Sequence, residues 1–122
     1  MREKMKILIV EDDGDLRDVL EEMLVDLDCH CVKAENGEKA LQLLEKEDFT
    51  CVISDIRMPK MDGMTLLEKM DQSQIHTPVI MITGFNEYTD EIVVKQGGVA
   101  VIHKPFSYDQ IKEIVEHYIE LL

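Results

Sequence analysis

A few polar residues stand just beyond short apolar runs, at positions where they could act together. "MKILIV" (5–10) leads into Glu11, Asp12 and Asp13. "CVIS" (51–54) leads into Asp55, "PVIMIT" (78–83) ends in Thr83, and "VAVIH" (99–103) leads into Lys104 and Pro105. Carboxylates gathered in one place repel each other and have raised pKa values unless a cation joins them. An all-oxygen set without histidine or cysteine suits a hard ion. Mg2+ is content with one or two carboxylates plus waters, and Mn2+ could stand in for it. A cation, an ammonium and a hydroxyl around one carboxylate make an environment for a phosphoryl group, whose transfer needs mainly positioning and charge neutralisation. Asp55 is then the natural nucleophile, because aspartate can carry a phosphoryl group as an acyl phosphate.

The segments between these residues must bring them to one edge. Residues 5–10, 30–34, 51–54, 78–83 and 99–103 are short apolar runs of strand type. Between them the apolar spacing turns helical. Leu16, Val19, Leu20, Met23, Leu24 and Leu27 form one stripe, and Leu41 and Leu44 lie in a helix over 36–48 capped by Asn36. A short helix over 63–70 and a weak one over 90–95, ended by Gly97 and Gly98, follow. After Pro105, Ser107 and Gln110 match a capping box, and Ile111, Ile114, Val115, Tyr118 and Leu122 keep helical spacing. Five β–α units in succession predict an α/β domain, a doubly wound five-stranded parallel sheet between two helical layers. In such sheets ligands bind outside the carboxyl ends of the strands. Strand ends one, three, four and five deliver functional groups there. The second ends in Lys33 and Ala34 and offers no comparable group.

Each residue alone has a plainer explanation. Acids after strands often cap the next helix, and Asp13 is open to that reading. Thr83 could be a turn residue and Lys104 a surface lysine paired with an acid. Their joint placement at four strand ends favours the shared site.

The 122 residues are 45% hydrophobic and 32% charged, as expected of one globular domain spanning 1–122. The formal net charge of −13 disfavours nucleic acid and anionic membrane surfaces as partners of this domain. The apolar stretch at 7–10 is shorter than a signal peptide requires, so the default location is cytoplasmic. Cys29, Cys31 and Cys51 are an odd number of thiols, expected reduced and inert. Cys29 and Cys31 would share one strand face with His30 on the other, which rules against "CHC" as a zinc site.

The motifs "ILIVEDD" (7–13), "VISDIRMPKMDG" (52–63), "VIMITG" (79–84) and "KPF" (104–106), in this order and spacing, resemble the receiver domain of two-component response regulators over essentially the whole chain. The resemblance implies a flavodoxin-like fold with strand order 2-1-3-4-5. It implies that Asp55 accepts a phosphoryl group from a phosphohistidine on a sensor histidine kinase or phosphotransfer protein. Asp12 would ligate Mg2+, Glu11 would act mostly through water, and Asp55 with the backbone carbonyl of Arg57 would complete the protein's share of the metal shell. Thr83 matches the switch hydroxyl and Lys104 the lysine that pairs with the phosphoryl oxygens, followed by Pro105 in a peptide bond that is usually cis. Arg57 and Phe85 flank the phosphoryl group and would tune its lifetime. Such domains catalyse only their own phosphorylation and dephosphorylation. A downstream target or output domain, and a homodimer through the face of the fourth helix, fifth strand and fifth helix, are further implied partners.

Two positions depart from the pattern. Many receivers carry an aromatic residue three positions before the lysine, where this chain has Val101, and Gly84 stands where alanine is common. Two other readings stay open at this point. One is an aspartate-nucleophile phosphatase, against which Arg57 occupies the place of a second acid. The other is a degenerate receiver acting as a phosphorylation-independent binding module.

Overall fold

The computed structural model describes residues 5–84 and 88–120, with side chains to residue 117. The expectations on Phe85, the Tyr118 side chain and Leu122 lie outside these. Five strands alternate with five helices: β1 (Met5–Val10), α1 (Gly14–Val25), β2 (Cys29–Ala34), α2 (Gly37–Lys46), β3 (Cys51–Asp55), α3 (Gly63–Gln72), β4 (Val79–Thr83), α4 (Asp90–Lys95), β5 (Ala100–His103) and α5 (Tyr108–Glu120). The strands are parallel in the order β2-β1-β3-β4-β5. The predicted architecture and strand order are therefore both present.

The boundaries differ from the expected ones in places. Leu27 lies past the end of α1, β2 begins at Cys29, and Asp55 is the last residue of β3 rather than the first of a loop. The reason at β3 is pairing: Asp55 lies opposite Ile82, so the ladder with β4 runs one residue beyond the apolar run. The helices start where capping chemistry is present. Asp13, Asn36, Asp62 and Thr89 cap α1, α2, α3 and α4, each side chain accepting from a backbone N–H in the first turn. Ser107 and Gln110 close the capping box at α5, with bonds of 2.8 and 3.2 Å.

Alternation along the strands sorts the core into two layers. Ile7, Ile9, Cys51, Ile53, Ile80, Ile82 and Ile102 join Leu20 and Leu24 of α1 and Ile111 and Val115 of α5. Leu8, Val10, Val52, Val79 and Met81 join residues of α2, α3 and α4 on the other face. Cys29, Cys31 and Cys51 all face the α1–α5 layer as free thiols, while His30 is exposed. Burial pushes the Cys31 and Cys51 thiols up to about 12, as expected for inert cysteines. Among the described residues no helix is long and apolar enough to cross a membrane.

Candidate functional site

Register decides where the polar strand ends meet. Val10 pairs with Ser54, so Glu11 and Asp55 follow side by side, and Thr83 pairs with His103, which places Lys104 one step on. Glu11, Asp55 and Lys104 continue the alternation of Ile9, Ile53 and Ile102, and so project on one side of the edge. Thr83 continues Val79 and Met81 toward α4. Lys104 Nζ donates to Asp55 Oδ2 at 2.8 Å and lies 3.7 Å from Glu11 Oε1. Its backbone N–H donates to Thr83 O at 2.8 Å, and the Lys104–Pro105 bond is cis, as the resemblance implied.

The carboxylates of Glu11, Asp12 and Asp55 offer oxygens within 4.8 Å of one another. Glu11 is 1% exposed, Thr83 4% and Asp55 6%, whereas Asp12 is open to solvent. Glu11 Oε2 accepts from Asp13 N–H at 3.2 Å, but its Oε1 is buried without a hydrogen bond among the described residues. Burial, reinforced by the charge of Asp55 and the neighbouring Asp12, pushes the Glu11 carboxyl up to about 8. Burial works against the charge on Lys104. The hydrogen bond and charge of Asp55, with Glu11 and Asp12, outweigh it and leave the lysine pKa raised. A buried carboxylate oxygen that the Lys104 ammonium approaches only to 3.7 Å, beside two further acids, is what a hard cation would satisfy. The donor set therefore fits a divalent ion.

The neighbours hold this arrangement. Asp13, open to either role, is the α1 cap, its Oδ1 accepting from Asp15 N–H at 3.0 Å. Arg17 Nη1 donates to Glu11 O at 2.7 Å and ties α1 to the end of β1. After Asp55 the chain turns sharply, with Lys60 at φ 68° and Gly63 N–H bonded to Ile56 O at 2.7 Å. Gly63 is required by proximity, since a Cβ there would stand 2.6 Å from Asp55 O. Gly84 lies along the Lys104 stem, and a Cβ there would meet Lys104 Cδ at an ordinary 3.4 Å. An open cleft of about 490 Å³ beside the acids is lined by Asp12, Ile56, Arg57, Met58, Pro59, Asp62 and Tyr88.

Tyr88 was not singled out from the sequence, yet it also packs into the α2–α4 layer together with Val101. The signal was available: Tyr88 precedes the Thr89 cap and Val93 lies four residues beyond it, the spacing of a hydrophobic staple. The second missed contribution is backbone. Ala34 O accepts from Glu11 N–H at 3.1 Å, so the β2 end serves the site without a functional side chain.

The response regulator receiver domain family model matches residues 7–116. The chain is a receiver domain of the response regulators. This receiver is 36% identical to chemotaxis protein CheY-3 of Vibrio cholerae, over all of this chain and 97% of that protein. It is 34% identical to the DNA-binding transcriptional regulator NtrC of Escherichia coli over 93% of this chain. It spans only 24% of the NtrC length. Among solved structures, the response regulator TrrA of Thermotoga maritima, in complex with Mg2+ and BeF, superposes on the receiver with a TM-score of 0.85. That match has 27% identity over 93% of this chain and 98% of that one.

Proposed function

We propose that this receiver is a phosphorylation-controlled signalling switch whose acceptor is Asp55. The observation that carries the reading is the 2.8 Å contact between Lys104 Nζ and Asp55 Oδ2, inside a cluster of three carboxylates at the carboxyl edge of the sheet. An Asp55 oxygen attacks the phosphorus of a phosphohistidine on a sensor kinase or phosphotransfer protein. The O–P bond forms as the P–N bond breaks, and the histidine nitrogen leaves with the electron pair. Lys104 then transfers its pairing from the carboxylate to a phosphoryl oxygen, and the Thr83 hydroxyl donates to another.

Glu11, Asp12, Asp55 and the Arg57 carbonyl would hold Mg2+, which when bound neutralises the charge that develops on the phosphoryl oxygens. The buried Oε1 of Glu11, which has no hydrogen bond among the described residues, supports that assignment. Arg57 stands where such phosphatases place a second acid, which counts against turnover of small phosphate esters and favours a receiver acting on its own phosphorylation state. The surface of α4, β5 and α5 is the proposed contact for a downstream target, an output domain or a second copy. A cytoplasmic site of action fits this reading.

Incubation with Mg2+ and a small acyl phosphate or phosphoramidate, followed by intact-mass measurement, tests it. A gain of about 80 Da, one phosphoryl group, is expected in the native chain and absent in Asp55→Asn. No adduct would return the receiver to a phosphorylation-independent binding module. Rapid release of phosphate from esters would return it to the phosphatase reading.

A further inference from the structure

The corner between β2 and α2 carries no functional side chain, yet it touches both halves of the acidic pocket. On one side Ala34 O accepts from Glu11 N–H at 3.1 Å. On the other, Gly37 N–H points at Met61 O, 3.3 Å away, in the loop between Asp55 and α3. Between these contacts Asn36 is buried, and its Oδ1 accepts from Lys39 N–H at 2.8 Å, fixing the first turn of α2.

The approach to Met61 is closer than any side chain at position 37 would allow. A Cβ there would stand 2.6 Å from Met61 O, 3.0 Å from its Cγ and 3.1 Å from its Cβ. The φ of Gly37 lies outside the left-handed range, so the requirement is for space rather than for an unusual backbone. The atom in the way is a backbone oxygen, which cannot swing aside as the end of a flexible side chain can. Met61 N–H bonds to Pro59 O at 2.7 Å, and Gly63 N–H bonds to Ile56 O at 2.7 Å. A shift of the Met61 carbonyl is therefore passed back along residues 57–60.

We propose that Gly37 is a positioning residue for the phosphorylation site. The first turn of α2 clamps the loop that presents the Arg57 carbonyl, while Ala34 fixes the backbone that presents Glu11 and Asp12. The oxygen ligands are thereby set before a cation arrives, without any side chain of the corner reaching them. This inference rests on the Mg2+ site proposed above.

Calorimetric titration with Mg2+ at one pH compares the native chain with Gly37→Ala and Leu44→Ala. Leu44 is buried about two turns farther along the same helix, so its truncation destabilises α2 away from the Asn36 cap and the Gly37–Met61 approach, without adding an atom beside the loop. Gly37→Ala is expected to bind Mg2+ on the order of tenfold more weakly. Leu44→Ala is expected to bind like the native chain, although thermal unfolding shows both variants destabilised. Affinity in Gly37→Ala within about twofold of native, or an equal loss in Leu44→Ala, would overturn the proposal. Should Gly37→Ala not fold, Asn36→Ala removes the cap without adding an atom. Weaker Mg2+ binding is expected there, and native affinity would likewise overturn it. Absence of Mg2+ binding by the native chain would sink the metal assignment itself, a result distinguishable from either.

Discussion

Glu11 is the acid of the site whose ionisation burial disturbs. Its folded pKa, about 8, lies above the ordinary glutamate value of 4.5, chiefly because burial disfavours the charged form. A raised pKa means the native state holds the proton more tightly than the unfolded chain. The stabilisation is thus complete below 4.5 and is lost as pH rises through 8. Without metal, the melting temperature is expected to fall over that interval, and Glu11→Gln to flatten the profile. Added Mg2+ should recover the loss in the native chain at pH 8. A flat native profile between pH 5 and 8 would show that Glu11 ionises freely. The acids themselves were legible in the sequence, because a charged residue directly after an apolar strand stands out. The burial that separates Glu11 from the open Asp12 was not, since adjacent positions on one strand end differ only in which way they project.

At the scale of elements, α4 is the weakest piece. It has six residues, Ile92 and Val94 of its three apolar residues are exposed, and only Val93 is fully buried. Its ends depend on local chemistry: the Thr89 cap bonds Ile92 N–H at 3.1 Å, and Asp90 pairs with His103 of β5 at 2.8 Å. Thr89→Ala should cost about 1 kcal/mol, felt within α4 rather than globally. Hydrogen exchange of the α4 amides is expected to accelerate about fivefold while the β1 and β3 amides keep their protection. Uniform acceleration throughout would show that α4 unfolds only with the whole domain. The end of the Asp90–Lys95 helix was readable because a double glycine follows it, whereas the Thr89 cap emerged from the structure. The His103–Asp90 pair was not, because it joins residues brought together by the β4–β5 register, which sequence spacing does not encode. The same holds for the corner of β2 and α2: a reading based on side chains passes over a strand end that contributes only carbonyl and N–H groups.

At the scale of the whole molecule, the sheet separates the chemistry from the rest. The acids, Thr83 and Lys104 gather at the carboxyl edge, the α2–α4 layer braces the loops beside them, and the α1–α5 layer closes over the isoleucines and all three cysteines. Strand order followed from the resemblance and β–α alternation from periodicity, while the division of residues between layers needed the register. That division has a use at the bench. With Cys29 and Cys51 buried and the half-buried Cys31 carrying a strongly raised pKa, the native chain should resist thiol-reactive probes at pH 7. A disulfide-exchange reagent is expected to label all three only after denaturant is added. Fast labelling of the folded chain would mean that α1 lifts from β2. A single cysteine introduced on α4 would then be the one site open to a fluorophore or spin label. Whether that helix moves when Mg2+ and a phosphodonor are added could be followed without first stripping the native thiols from the core.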